Sequence, residues 1–223
     1  MMRFLASSTI SAALLAGALT APAIASTSGN SSNANSEVTS QFGPADPSDD
    51  QIIIPPNENA DARAAAYDNL EPQRDLSVLP PEVAKTRDLL MDAARSGDVE
   101  RFRPIIDAQP DAPQFSFGVV DQPIQFLRDS SNDGEGLELM AIMLELLEAP
   151  YAVQDLGDGR PKMYVWPAYA THNLQGLSDQ ELVEVYKIVS HLDVEEMRLY
   201  GGWYFFRVGI DENGVWQFFV AGD

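Results

Sequence analysis

Two histidines and one acidic loop are the residues of this chain whose types and spacing invite chemistry. His172 follows the run Trp-Pro-Ala-Tyr-Ala-Thr and is expected in a loop, where it could serve as a base or ligand. His191 is expected at the end of a helix over 179–191, where a helix dipole favours an imidazolium, so a capping role outweighs catalysis there. Two histidines alone do not make a histidine metal site unless they meet and carboxylates complete the set. The loop Asp129-Ser130-Ser131-Asn132-Asp133-Gly134 places Asp129, Ser131 and Asp133 at positions 1, 3 and 5 of a calcium loop, with Gly at 6. Position 12 of an EF-hand needs a bidentate Glu, and this chain has Met140. The competing reading is a polar turn feeding a helix N-terminus, where acids complement the dipole. No Gly-x-Ser-x-Gly, Ser-x-x-Lys, His-Glu-x-x-His or phosphate-cradling loop occurs.

Composition narrows the classes further. There is no Cys, which excludes disulfides, thiolate metal sites and a Cys nucleophile. Across 223 residues, 34 acids oppose 14 bases, a formal charge of −20. Electrostatic binding of nucleic acid or anionic lipid is therefore excluded. No cofactor is implied. The acids are spread over the whole chain, as expected for a solvated, self-repelling surface.

These side chains need elements to position them. Residues 1–25 read as a signal peptide: Arg3, an apolar run from Phe4 to Leu19, and Ala23-Ile24-Ala25 as a small-x-small cleavage site. Cleavage after Ala25 implies a periplasmic or secreted protein with no transmembrane segment in the mature chain. Residues 26–77 are rich in Ser, Asn, Pro and acids, and are expected to be a disordered linker. Within it, Ile52-Ile53-Ile54 is either a docking segment or a sticky spot.

Residues 78–223 are expected to form one domain. Pro80-Pro81 opens a helix that Gly97 ends. Asp98 caps a second helix, which Pro104 should bend or shorten. Phe115–Val120 suggests a short strand, Gln122–Arg128 a brief helix, and Glu135–Glu148 the most apolar helix. Tyr151–Gln154 and Lys162–Trp166 flank a turn-rich connection and read as a hairpin. Ser178 and Glu181 form a capping box. Asp193 and Glu196 suggest a cap for one further short helix.

The last element is a hairpin of Trp203–Ile210 and Val215–Ala221 around Asn213-Gly214, expected as a type I′ turn with both residues at positive φ. Strict alternation puts Tyr204, Phe206, Val208 and Ile210 on one apolar face. It puts Trp203, Phe205, Arg207, Gln217 and Phe219 on the other, mixed one. Aromatics beside an Arg make an anchor cluster if that face meets water, so these five are the candidate binding residues. The rings Tyr164, Trp166, Tyr169, Trp203, Tyr204 and Trp216 read either as core or as platforms for sugar or peptide.

The fold class that follows is α+β: N-terminal helices packed on a small antiparallel sheet of about four strands, ending in a C-terminal β-hairpin. The run YGGWYFFRVGIDENGVWQFFVAGD, with MYVWPAYA at 163–170, resembles a family of uncharacterised exported proteins of alphaproteobacteria. The resemblance implies export and a shared domain, and no chemistry. The helix-plus-sheet pattern is also similar to NTF2-like domains, in fold pattern only. The expected function is a non-enzymatic binding or interaction domain of the envelope, with a protein or glycan partner. The alternative is a small hydrolase using His172 with a nearby carboxylate.

Overall fold

A computed structural model describes residues 67–155, 157 and 159–222. The expected signal peptide, most of the expected linker and Ile52–Ile54 lie outside the described residues. At the centre is a four-stranded antiparallel sheet in the order β1 (Ala152–Gln154), β2 (Met163–Trp166), β3 (Arg207–Asp211), β4 (Trp216–Val220). Six α-helices accompany it: α1 (Pro81–Arg95), α2 (Arg103–Asp107), α3 (Pro123–Asp129), α4 (Leu137–Glu148), α5 (Asp179–Val185) and α6 (His191–Tyr200). The α+β architecture and the closing β3–β4 hairpin are as the sequence implies.

Helices cover both sides of the sheet, so the mixed face, expected either to meet water or to be a second core layer, is covered. One apolar cluster joins α1 and α4 to Trp166, Val208, Ile210, Trp216 and Phe219 of the sheet. The other joins α5, α6 and the short 3₁₀ turns at 168–176 to Val165, Trp203 and Phe218. The first layer begins as the sequence predicts, with Pro81 in the first turn of α1 and Gly97 at φ 69° just past its end. Asp98 caps a 3₁₀ turn, Val99–Phe102, and Pro104 sits in the first turn of the short α2. The buried Arg87 of α1 donates from Nε and Nη2 to the carbonyl of Leu147, at 3.1 and 2.8 Å, and so serves the C-terminal end of α4.

Several local expectations fail for identifiable reasons. Phe115–Val120 forms no strand. Only Gln114 bridges β4, while Phe115 is buried edge-on to Trp216. The helix expected over 179–191 stops at Val185, and Ser190 starts α6 with its own capping box to Asp193. Asp193 is therefore the third residue of that box rather than the cap. Trp203–Phe206 is irregular, and β3 begins only at Arg207.

The 211–214 turn also differs. Gly214 is at φ 82°, but Asn213 is not at positive φ. Gly214 N–H donates to Asp211 O at 2.8 Å, Asp211 N–H donates to Val215 O at 2.9 Å, and the Asp211 carboxylate accepts from Asn213 N and Val215 N. This is a three-residue loop with a left-handed glycine, not a type I′ turn.

The folded unit also reaches back beyond residue 78. Residues 67–75 run as a strap across the domain. Gln73 and Tyr151 exchange both backbone hydrogen bonds, at 2.7 and 2.9 Å. Asn69 N–H donates to Thr171 O, and Asn173 N–H donates to Asn69 Oδ1. The hydroxyl of Tyr67 accepts from the Trp203 N–H at 2.9 Å. A polar segment can thus belong to a domain without any apolar period, because its ties are hydrogen bonds.

Candidate functional site

The five residues expected on one mixed face do not share one. A register shift between Gly209 and Ile210 pairs Val208 with Phe219 and Ile210 with Trp216. Directly paired residues share a face, so Phe219 turns toward the first cluster, where it stacks on Phe206 at 4.9 Å. Trp203 lies in the second cluster and is fully buried. Its indole N–H donates to Phe206 O at 3.1 Å. Phe205 is half-buried against it, edge to face. Arg207 is half-buried and spends Nη1 on the carbonyls of Gly222 (2.8 Å) and Trp203 (3.4 Å), with no carboxylate partner among the described residues. Gln217 donates to Asp211 Oδ2 at 3.0 Å. Trp166, Tyr169 and Trp216 are fully buried too, and Tyr164 is buried. The aromatic set is therefore core. Tyr204, half-buried, is the exception and donates its hydroxyl to Glu196 at 2.9 Å.

The calcium candidates serve the helix that follows them. Asp133 accepts from the backbone N–H groups of Glu135, Leu137 and Glu138, and from the Ser131 hydroxyl. Those hydrogen bonds hold its carboxyl far below the usual carboxylate range. Asp129 accepts from Gln125 Nε2 at 2.7 Å. Glu138, which could have supplied a further oxygen, binds Asn132 through its backbone N–H and its side chain. Among the described residues, no group of three metal-ligating side chains converges. Asp133 ties Ser131 within the loop and caps the start of α4, while Asp129 turns back to Gln125 of α3.

His172 is buried just after the 168–171 turn. Its Nδ1 lies 3.0 Å from Ala168 O, so that nitrogen is the donor. Its ring packs on Tyr169 at 5.5 Å. Two carboxylates of α5 approach this region, and both are engaged. Glu181 Oε2 accepts from Ser178 N and Oγ in the capping box, which lowers its pKa, with a smaller contribution from His172. Glu184 pairs with Lys187 at 3.0 Å and with Arg74 of the strap at 3.4 Å. The Tyr169 hydroxyl is buried without a hydrogen-bond acceptor or donor in place, although the Arg74 charge is near enough to oppose the rise that burial causes. The structure thus brings His172, Tyr169, Glu181, Glu184 and Arg74 into one neighbourhood. Each charged member already has an internal partner.

His191 is the first residue of α6, not the last residue of a helix. The C-terminal dipole expected to favour an imidazolium is absent there. Its Nδ1 instead lies 3.2 Å from the Tyr186 hydroxyl.

Open space lies elsewhere. A groove of about 470 Å³ runs between α1 and the 98–105 turn, over Leu89, Ala93, Pro104 and Ile105, with Asp92, Asp98, Glu100 and Arg101 at its rim. A second of about 280 Å³ lies between α2 and the start of α3. The rim acids are held ionised or in place. Glu100 accepts from Arg103 and Arg128, which lower its pKa, and Asp98 caps the Val99 turn. The carboxyl that burial pushes upward is Glu145 on α4, which lines neither groove. Sequence reasoning did not find the groove. Only the structure shows Leu89, an apolar residue of α1, to be about half exposed at 47%.

No family model, curated protein or solved structure matches the chain. No helix among the described residues is long and apolar enough to cross a membrane.

Proposed function

We propose that the domain is an exported, non-enzymatic binding or interaction module of the cell envelope. Its partner is a protein or glycan component, held in the groove along α1. Export rests on the leader-like residues 1–25. The observation that carries the binding reading is the groove itself. It has an apolar floor and a mixed-charge rim, and its carboxylates are committed to arginines or to capping. General acid catalysis asks for a carboxyl held protonated near its working pH. Glu100 at the rim is shifted the other way by Arg103 and Arg128, whereas a partner asks only for exposed apolar area ringed by polar groups.

The test uses the mature chain from Ser26 as bait in envelope extract. Leu89→Asp combined with Arg101→Glu should cut capture of the bound component at least about tenfold, while His172→Gln leaves it unchanged. Capture that ignores the groove variant would overturn the reading. So would release of soluble glycan or peptide products that His172→Gln abolishes, since that is the hydrolase outcome.

A further inference from the structure

We infer that the strap, residues 67–75, is an exchangeable strand, and that the ledge it lies on accepts the same segment from a second copy of this chain. The inference does not use the α1 groove and stands apart from the function proposed for it.

Nothing in the strap is buried. It is held by the two-bond bridge from Gln73 to Tyr151, by Asn69 on Thr171 and Asn173, by Tyr67 on Trp203 N–H, and by side-chain contacts. Those contacts are Asp68 with Gln154 at 3.1 Å and Arg74 with Glu184 at 3.4 Å. Such ties are made and broken locally, without opening a core. The ledge is different. Tyr151 and Trp203 are fully buried with the strap in place, and their backbone groups take their partners from it. Gly202 lets Tyr67 approach, because a Cβ there would collide with its hydroxyl and the ring edge beside it. The site is thus shaped to this nine-residue segment, which turns at Asn69 (φ 48°) and bridges at Gln73.

The occupant that fits best is the one seen. A second copy carries the same tyrosine, asparagine and glutamine at the same spacing. Between strap and α1 the chain passes through Leu76–Val78, a single 3₁₀ turn with no buried residue. That turn is the place where a strap can swing out to a neighbour, the usual hinge of strand exchange.

The chain has no cysteine, which makes the test clean. Asp68→Cys and Gln154→Cys are made singly and together in the mature chain, and treated with a short bismaleimide. The double variant should link within one chain. An incubated mixture of the two single variants should link between chains, at least about tenfold faster than Gln154→Cys mixed with Glu195→Cys. A synthetic peptide of residues 67–75 should suppress that linking between chains. The inference is overturned if the mixture links no faster than the control, or if the peptide has no effect. It is equally overturned if the double variant fails to link internally, because the strap would then not lie on this edge.

Discussion

The two helical layers that sandwich the sheet are built on different terms. On one side stand α1, of 15 residues, and α4, of 12, with broad apolar faces that bury Leu90, Met143, Leu146 and Leu147. On the other stand α5, of 7 residues, and α6, of 10, with a string of 3₁₀ turns. Helices that short are marginal on their own. Each carries a complete Ser-x-x-acid capping box, Ser178 with Glu181 and Ser190 with Asp193. One layer is held chiefly by apolar area, and the other leans on satisfied ends and on the strap. A buried aromatic sheet face therefore does not require long helices above it.

Like-for-like truncation gives the largest expected effect. Leu146→Ala in the first layer should cost about 4 kcal/mol, and Leu174→Ala in the second about 2.5 kcal/mol, read from urea midpoints. Equal losses would break the distinction. Gly214→Val comes next, at about 2 kcal/mol, because φ is 82° and a Cβ would press on the backbone of Glu82 in α1. Thermal melts report it, and an unchanged melt would mean that the loop does not dock on α1 as described.

Ser178→Ala and Ser190→Ala should each cost about 1 kcal/mol. Hydrogen exchange should then accelerate in α5 and α6 while α1 and α4 stay protected. Uniform acceleration would show the layers to be one cooperative unit.

Two pH effects are smaller. The depressed carboxyl of Asp133 contributes stability that is present above the unfolded value of about 3.9 and is lost as pH falls toward the much lower folded value. Asp133→Asn should flatten the acid limb of the stability curve below about pH 4. Burial and then the bond to Glu196 push the Tyr204 hydroxyl up to about 12. Its contribution is present below the ordinary value of about 10 and lost as pH climbs toward 12. Tyr204→Phe should remove the latest phenolate from an absorbance titration and flatten the alkaline limb.

Local punctuation was the readable part of the sequence. Pro80-Pro81, Gly97, the Ser178 capping box and the turn around Gly214 each mark an end that one or two residues determine. Packing over a distance was not readable. Four consecutive aromatics at 203–206 set no polar alternation, so the sequence leaves open whether the face of Trp203 and Phe205 meets water, and α5 and α6 in fact cover it. The shift beside Gly209 brings Trp216 and Phe219, three residues apart, into the same cluster. That glycine has its own reason, since the Phe218 ring occupies the place of its Cβ. The strap was read as linker because its residues look like linker, and only its partners show otherwise. His172 was singled out by type, and nothing in its neighbours foretold a nitrogen spent on Ala168.

The tip of the β3–β4 loop reaches α1 through the Thr86 hydroxyl, which donates to Gly214 O at 2.6 Å across 128 residues of sequence. A chain emerging from the ribosome makes α1 early and its docking surface last. Until residues 207–220 are out, the apolar faces of α1 and α4 lack the two strands that hold Trp216 and Phe219 against them. For most of its synthesis the polypeptide therefore cannot complete its larger core. The closing contact of that core is therefore supplied by the final strand.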